Sequence, residues 1–86
     1  MGNNIEEEVH KIANKWDNGE YDDFKVVILD CRRLLKFDEV QKNKQLLMIV
    51  EATLRSSTTA YQEFIDQNPS ERNDKEGLID KRYLYR

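Results

Sequence analysis

Ile5, Val9, Ile12, Ala13 and Trp16 stand at i, i+4, i+7, i+8 and i+11, a spacing that lines one stripe of an α-helix and no face of a strand. The same period returns in Phe24, Val27, Ile28, Cys31, Leu34 and Leu35. Stripes of this kind have to be buried against one another, so the pattern predicts an all-α bundle. One run reads differently. Val26-Val27-Ile28-Leu29 alone has the length of a buried strand, but the helical pattern continues beyond it with Arg32 and Arg33 on the far side, and no second strand segment stands ready to pair.

Boundary residues sharpen these helices. Asn4 with Glu7 three positions on has the form of a capping box, and the acids of the first turn suit the positive end of a helix dipole. Asn18-Gly19 supplies a left-handed stop. Asp22 is placed to cap the second helix. Asp38 with Gln41 repeats the capping-box form ahead of a long segment that runs to Asn68, just before Pro69. Three main helices are therefore expected near residues 4–17, 22–36 and 39–67, in an up-and-down bundle covering 1–68. Residues 69–86 are expected as a loop followed by a basic and aromatic segment, either a short fourth helix packed on the bundle or a flexible peptide.

The long third helix raises a question of its own. Val40, Leu47, Leu54 and Tyr61 recur every seven residues, with Asn43, Val50, Ser57 and Phe64 as the companion row. Unbroken, it would run about 43 Å, more than a bundle of this size needs. Ser56-Ser57-Thr58-Thr59, whose side chains compete for their own backbone, marks the expected position of a bend.

The turn between the first two helices has a local likeness. Gly19-Glu20-Tyr21-Asp22-Asp23, running into a helix that carries the small Cys31, resembles the turn and second helix of a tetratricopeptide repeat over residues 19–36. The pattern departs from the repeat at Phe24, where a small residue is expected, and at Lys36, where the closing proline is expected. The likeness implies a tight helix hairpin here, not membership of the family.

Composition bounds the rest. With 86 residues the chain makes one domain, whose expected stability is roughly 4–13 kcal/mol. Hydrophobic residues make up 38% and charged residues 36%, so a folded core under a strongly polar surface is expected. Cys31 is the sole cysteine, which excludes an internal disulfide. No apolar run approaches the roughly 20 residues of a membrane span, so a cytoplasmic protein without a membrane partner is expected. The net charge is only −3, yet residues 1–24 carry two Lys against seven acids while residues 25–55 carry seven Lys and Arg against four. A basic middle against an acidic first third can serve internal cohesion as well as a partner.

Catalytic and metal chemistry find little to work with. Glu7-x-x-His10 echoes the carboxylate-histidine pair of di-iron bundles, but such a site needs a second histidine and the chain has one. Cys31 lies on an apolar stripe, where a cysteine packs as a small hydrophobe. Neither a glycine-rich phosphate loop nor a Cys-x-x-Cys is present. No enzyme activity and no cofactor are expected.

Two surfaces remain. Leu46, Met48, Ile49 and Val50 encircle one turn of the long helix, and a helix apolar on all sides has to be covered on all sides. Leu46, Met48 and Ile49, with Tyr83 and Tyr85 of the C-terminal segment, are the expected partner-binding residues of a regulatory or adaptor protein, an inhibitor of another protein for instance, that also pairs with itself through that helix. Arg32, Arg33, Lys36, Lys42 and Lys44 flank the connection between the second and third helices. They define the alternative, a small regulator that contacts nucleic acid through phosphates.

Overall fold

The computed structural model describes residues 4–68 and 77–84, and the statements below concern these. Four helices follow in order, α1 (Asn4–Asp17), α2 (Phe24–Leu34), α3 (Asp38–Lys42) and α4 (Lys44–Gln67), and a 3-10 turn covers Lys81–Tyr83. The fold is a small all-α bundle in which α1, α2 and α4 pack pairwise, α2 most extensively on α4.

The stop after α1 is a Schellman motif. Gly19 takes φ +70°, its N–H donates to Trp16 O at 3.0 Å, and Glu20 N–H donates to Lys15 O at 3.0 Å. Asn4 is the first helical residue, so the capping position falls on a residue outside those described. At α2 the cap is Asp23 and not Asp22: its carboxylate accepts from Lys25 N–H at 2.9 Å. The helix ends at Leu34, two residues short of the expected 36, because the chain tightens through Lys36 N–H to Arg33 O and Phe37 N–H to Leu34 O, both 3.1 Å.

The single long third helix is replaced by two. Asn43 stops α3, donating its N–H to Val40 O, and starts α4, its side-chain oxygen accepting from Gln45 and Leu46 N–H at 3.1 and 3.2 Å. The expected capping box at Asp38 is absent. Asp38 is already helical behind Phe37, which makes no side-chain cap, and Gln41 donates instead to Leu35 O at 2.6 Å. No break falls at Ser56–Thr59. There α4 runs on, with the Ser57 hydroxyl donating back to Thr53 O and Leu54 O at 2.8 and 3.1 Å.

One core joins all elements: Val9 and Ile12 from α1, Val27, Ile28, Cys31 and Leu34 from α2, Val40 from α3, Leu46, Val50, Leu54, Tyr61 and Ile65 from α4, and Leu78 beyond. At one end Phe24 ties three helices together, its ring 6.1 Å from Trp16, 6.2 Å from Tyr61 and 5.7 Å from Phe64. Trp16, expected to be largely buried, is partly buried at this end. The C-terminal segment docks through Leu78, only 2% exposed, and through Arg32, whose guanidinium donates to Gly77 O at 3.1 Å. The 3-10 turn is capped by Asp80, which accepts from Arg82 N–H. Hydrogen bonds from the Arg82 guanidinium hold the Asp80 carboxyl down at about 2.

Candidate interaction surface

The residues expected on the partner face of the long helix separate in the structure. Leu46 is 5% exposed and belongs to the core, which removes it from any surface. Ile49 packs against that core and is only partly accessible. Met48 alone stands out, at 66% exposure. Leu46 and Val50 join the core and Ile49 packs against it, so most of the apolar surplus read from the sequence around this turn is taken up within the chain. Tyr83 is half-buried beside the Arg82 guanidinium, 5.7 Å from its ring, and Tyr85 lies outside the described residues.

The basic corner is also divided. Arg33 forms an ion pair with Glu8 of α1, and that hydrogen bond raises the already high guanidinium pKa. Arg32 is turned to Gly77 O. Lys36, Lys42 and Lys44 remain exposed, with Asp38 and Glu39 exposed between them.

An apolar edge that the sequence reading passed over lies on α2. Val26 is 47% and Leu29 is 50% exposed, one helical turn apart. The signal was present: a run of four apolar residues wraps most of a helix's circumference, so once Val26–Leu29 is helical, burying Val27 and Ile28 turns Val26 and Leu29 outward. Phe37, at the end of the following turn, is 37% exposed.

Beside this edge α1 and α2 enclose an open groove of 440 Å³, walled by Glu7, Glu8, Lys11, Lys15, Tyr21 and Asp30 among others. Its charges answer one another. Lys15 Nζ lies 4.5 Å above the Tyr21 ring, and the Tyr21 hydroxyl donates to Asp30 at 3.4 Å. Partial burial, with Asp30 next to it, pushes the Tyr21 phenol up to about 12. The pair that joins an acid of the first third to a cation of the middle is Glu8–Arg33, whereas the Lys15, Tyr21 and Asp30 contacts do not follow that asymmetry.

Reactive groups are placed as follows. Cys31 is fully buried, and burial, reinforced by Asp30, pushes its thiol up to about 12, so at neutral pH it is a protonated packing group. His10 is exposed on α1. Among the described residues no three His, Cys, Asp or Glu side chains gather in a metal-holding group, and no helix is long and apolar enough to cross a membrane. Comparison of the chain with protein-family models, with curated proteins and with solved structures finds no match.

Proposed function

We propose that this chain is a small, non-catalytic regulatory or adaptor protein that acts by binding protein, and that its contact face is the outer edge of α2 in place of the long helix. The observation that carries the reading is the pair Val26 and Leu29, half exposed on consecutive turns of a helix whose Val27, Ile28, Cys31 and Leu34 are sealed in the core. A folded chain of this size gains nothing internally from two apolar side chains in water, and apolar groups rimmed by charge suit a protein contact. Lys25, Asp30 and Arg33, one turn or less from them on the helix, provide that rim.

The nucleic-acid alternative rests on five cations. Two of them, Arg32 and Arg33, are engaged by Gly77 and Glu8, and acids interrupt the other three, so the field left for phosphates is weak. That balance favours protein as the partner.

The test uses two purified baits, the wild type and Leu29→Glu. Leu29 is half in water, so the variant should keep its helicity and lose no more than about 0.5 kcal/mol of stability. A protein, the chain's own copy included, that is retained by the wild type and released by Leu29→Glu supports the reading. Equal retention of every protein on both baits sinks it. Capture of nucleic acid that falls steeply between low and moderate salt would turn the reading to the basic corner.

A further inference from the structure

Asn18-Gly19 is the one place in the chain where an asparagine precedes a glycine, and it closes α1. The pair has a chemistry of its own. Once the Gly19 backbone nitrogen loses its proton it can attack Asn18 Cγ, because glycine puts no side chain in the way and an unstrained succinimide ring closes. Asn68 offers no such route, since Pro69 has no N–H to lose. Asn43 is followed by the bulky Lys44, and its side-chain oxygen is engaged by Gln45 and Leu46 N–H. The fold holds Asn18-Gly19 back in another way. Gly19 N–H donates to Trp16 O at 3.0 Å, so the proton that must leave is held, and Asn18 N–H donates to Asn14 O at 2.9 Å. Carrying Gly19 N toward Cγ needs rotation about the Asn18 Cα–C bond, which breaks the bonds of Gly19 and Glu20 N–H together. Asn18, Gly19 and Glu20 are all exposed, so opening this turn uncovers no buried side chain of its own and costs chiefly those bonds.

We infer that Asn18 is a self-modifying site: local opening of the Schellman turn lets it convert to isoaspartate, and the product cannot close the turn again. The reaction needs no partner but water. The bond from Gly19 N to Asn18 Cγ forms, the Cγ–Nδ2 bond breaks, and ammonia leaves with the proton that Gly19 gave up. Water then opens the succinimide at either carbonyl. Attack at the side-chain carbon yields aspartate, whereas attack at the backbone carbon yields isoaspartate, whose main chain runs through Cβ and Cγ. Either product carries one more negative charge than asparagine. Because ammonia is lost to solvent, the change accumulates with the age of each molecule and does not reverse.

The consequence follows from the turn's geometry. Isoaspartate lengthens the backbone inside a turn whose hydrogen bonds fix its length, so Gly19 and Glu20 N–H lose register with Trp16 O and Lys15 O. The new carboxylate also stands at the negative end of the α1 dipole, beside the exposed Asp17 and Glu20, where an anion is disfavoured. The last turn of α1 carries two contacts that bind the helix hairpin: Lys15 over the Tyr21 ring at 4.5 Å, and Trp16 edge-on to Phe24 at 6.1 Å. Conversion therefore loosens the α1–α2 hairpin from the turn outward.

Incubation of the purified chain at mildly alkaline pH, followed by peptide mapping, tests the inference. Deamidation should fall on Asn18 ahead of Asn14, Asn43 and Asn68, with isoaspartate the larger product. It should run about ten- to a hundredfold slower than in the urea-unfolded chain at the same pH. Urea below the unfolding transition should leave the native rate nearly unchanged, because opening one turn exposes little surface. As conversion proceeds, the emission of Trp16, the only tryptophan, should shift to longer wavelength and the melting temperature should fall. Asn18→Ala should hold both readings constant through the same incubation. Fresh Asn18→Asp, which adds the charge without lengthening the backbone, should keep the native emission. Earlier conversion at another asparagine, or a native rate equal to that of the unfolded chain, overturns the inference. A rate that climbs with urea in step with the unfolded population overturns the local gate, and an isoaspartate product with unchanged emission and melting overturns the loosening of the hairpin.

Discussion

Thr58 and Ser57 are neighbours in α4, both fully buried, and their hydroxyls have opposite fates. Ser57 is satisfied by two backbone carbonyls of its own helix, whereas Thr58 Oγ1 meets no partner among the described residues. An unmet buried hydroxyl costs about 1–3 kcal/mol, and valine has nearly the same shape. Thr58→Val is expected to stabilise the protein by about 1 kcal/mol, read as a higher melting temperature by circular dichroism; an unchanged or lower one would show that the hydroxyl is satisfied in solution. Cys31 and Tyr21 make a second residue-scale prediction, set by pH. Each holds its proton more tightly in the folded chain, the thiol moving from 9.0 and the phenol from 10.0 to about 12. Stability from a raised pKa is complete below the unfolded value and is lost as pH rises through the folded one. Stability should therefore hold to pH 9 and fall between 9 and 12, by up to about 1.4 kcal/mol per pH unit for the buried thiol and by less for the solvent-screened phenol, read as a falling melting temperature. Cys31→Ala should flatten the part that begins at pH 9, leaving the fall that begins near 10.

At the scale of elements, Asn43 does the work of two caps with one residue, ending α3 through its backbone and opening α4 through its side chain. Asn43→Ala should cost about 1 kcal/mol, measured by urea denaturation, whereas Asn43→Asp should keep most of the stability. Indifference to the alanine change would mean that α3 and α4 are continuous in solution. This joint also marks where sequence reading loses resolution. The stop at Asn18-Gly19 was legible because a Schellman turn is fixed by neighbouring residues. Asn43 was not, since an asparagine in a heptad row and an asparagine at a helix cap look alike until the chain's path is known. The existence of α1, α2 and the long run of α4 was legible, with the apolar stripes of the first two, including Cys31 on the buried side of α2. The partner face was not. Leu46 and Ile49 were expected outside because the core that takes them in is assembled from elements remote in sequence, and periodicity carries no information at that range. Val26 and Leu29 were within reach of the sequence, hidden only by the attention that their run drew as a strand.

The whole molecule takes its proportions from α4. Twenty-four residues at about 1.5 Å each make a rod of about 36 Å, and the described residues extend 44 × 24 × 22 Å with a radius of gyration of 13.2 Å, above the roughly 12 Å of a compact chain this long. The rod's cover is assembled from pieces of unequal attachment. α1 and α2 carry rows of core side chains and the Glu8–Arg33 pair, whereas the segment at 77–84 contributes one buried core side chain, Leu78, with Ile79 and Tyr83 packed against the core and the hydrogen bond from Arg32 to Gly77 at its start. The cheapest opening of a structure is the one that breaks the fewest buried contacts. Amide hydrogens should therefore exchange in two classes, with Leu78, Ile79 and the 3-10 turn exchanging by detachment of the segment and the α1–α2–α4 core only by global unfolding. Arg32→Met, which keeps the packing of the stem and removes the donor, should speed the first class severalfold and leave the second unchanged. The departure of Leu78 would open the core that it completes for as long as the segment stays off. Apolar side chains sealed in the closed form would then reach water in a minor, transient population of the native ensemble.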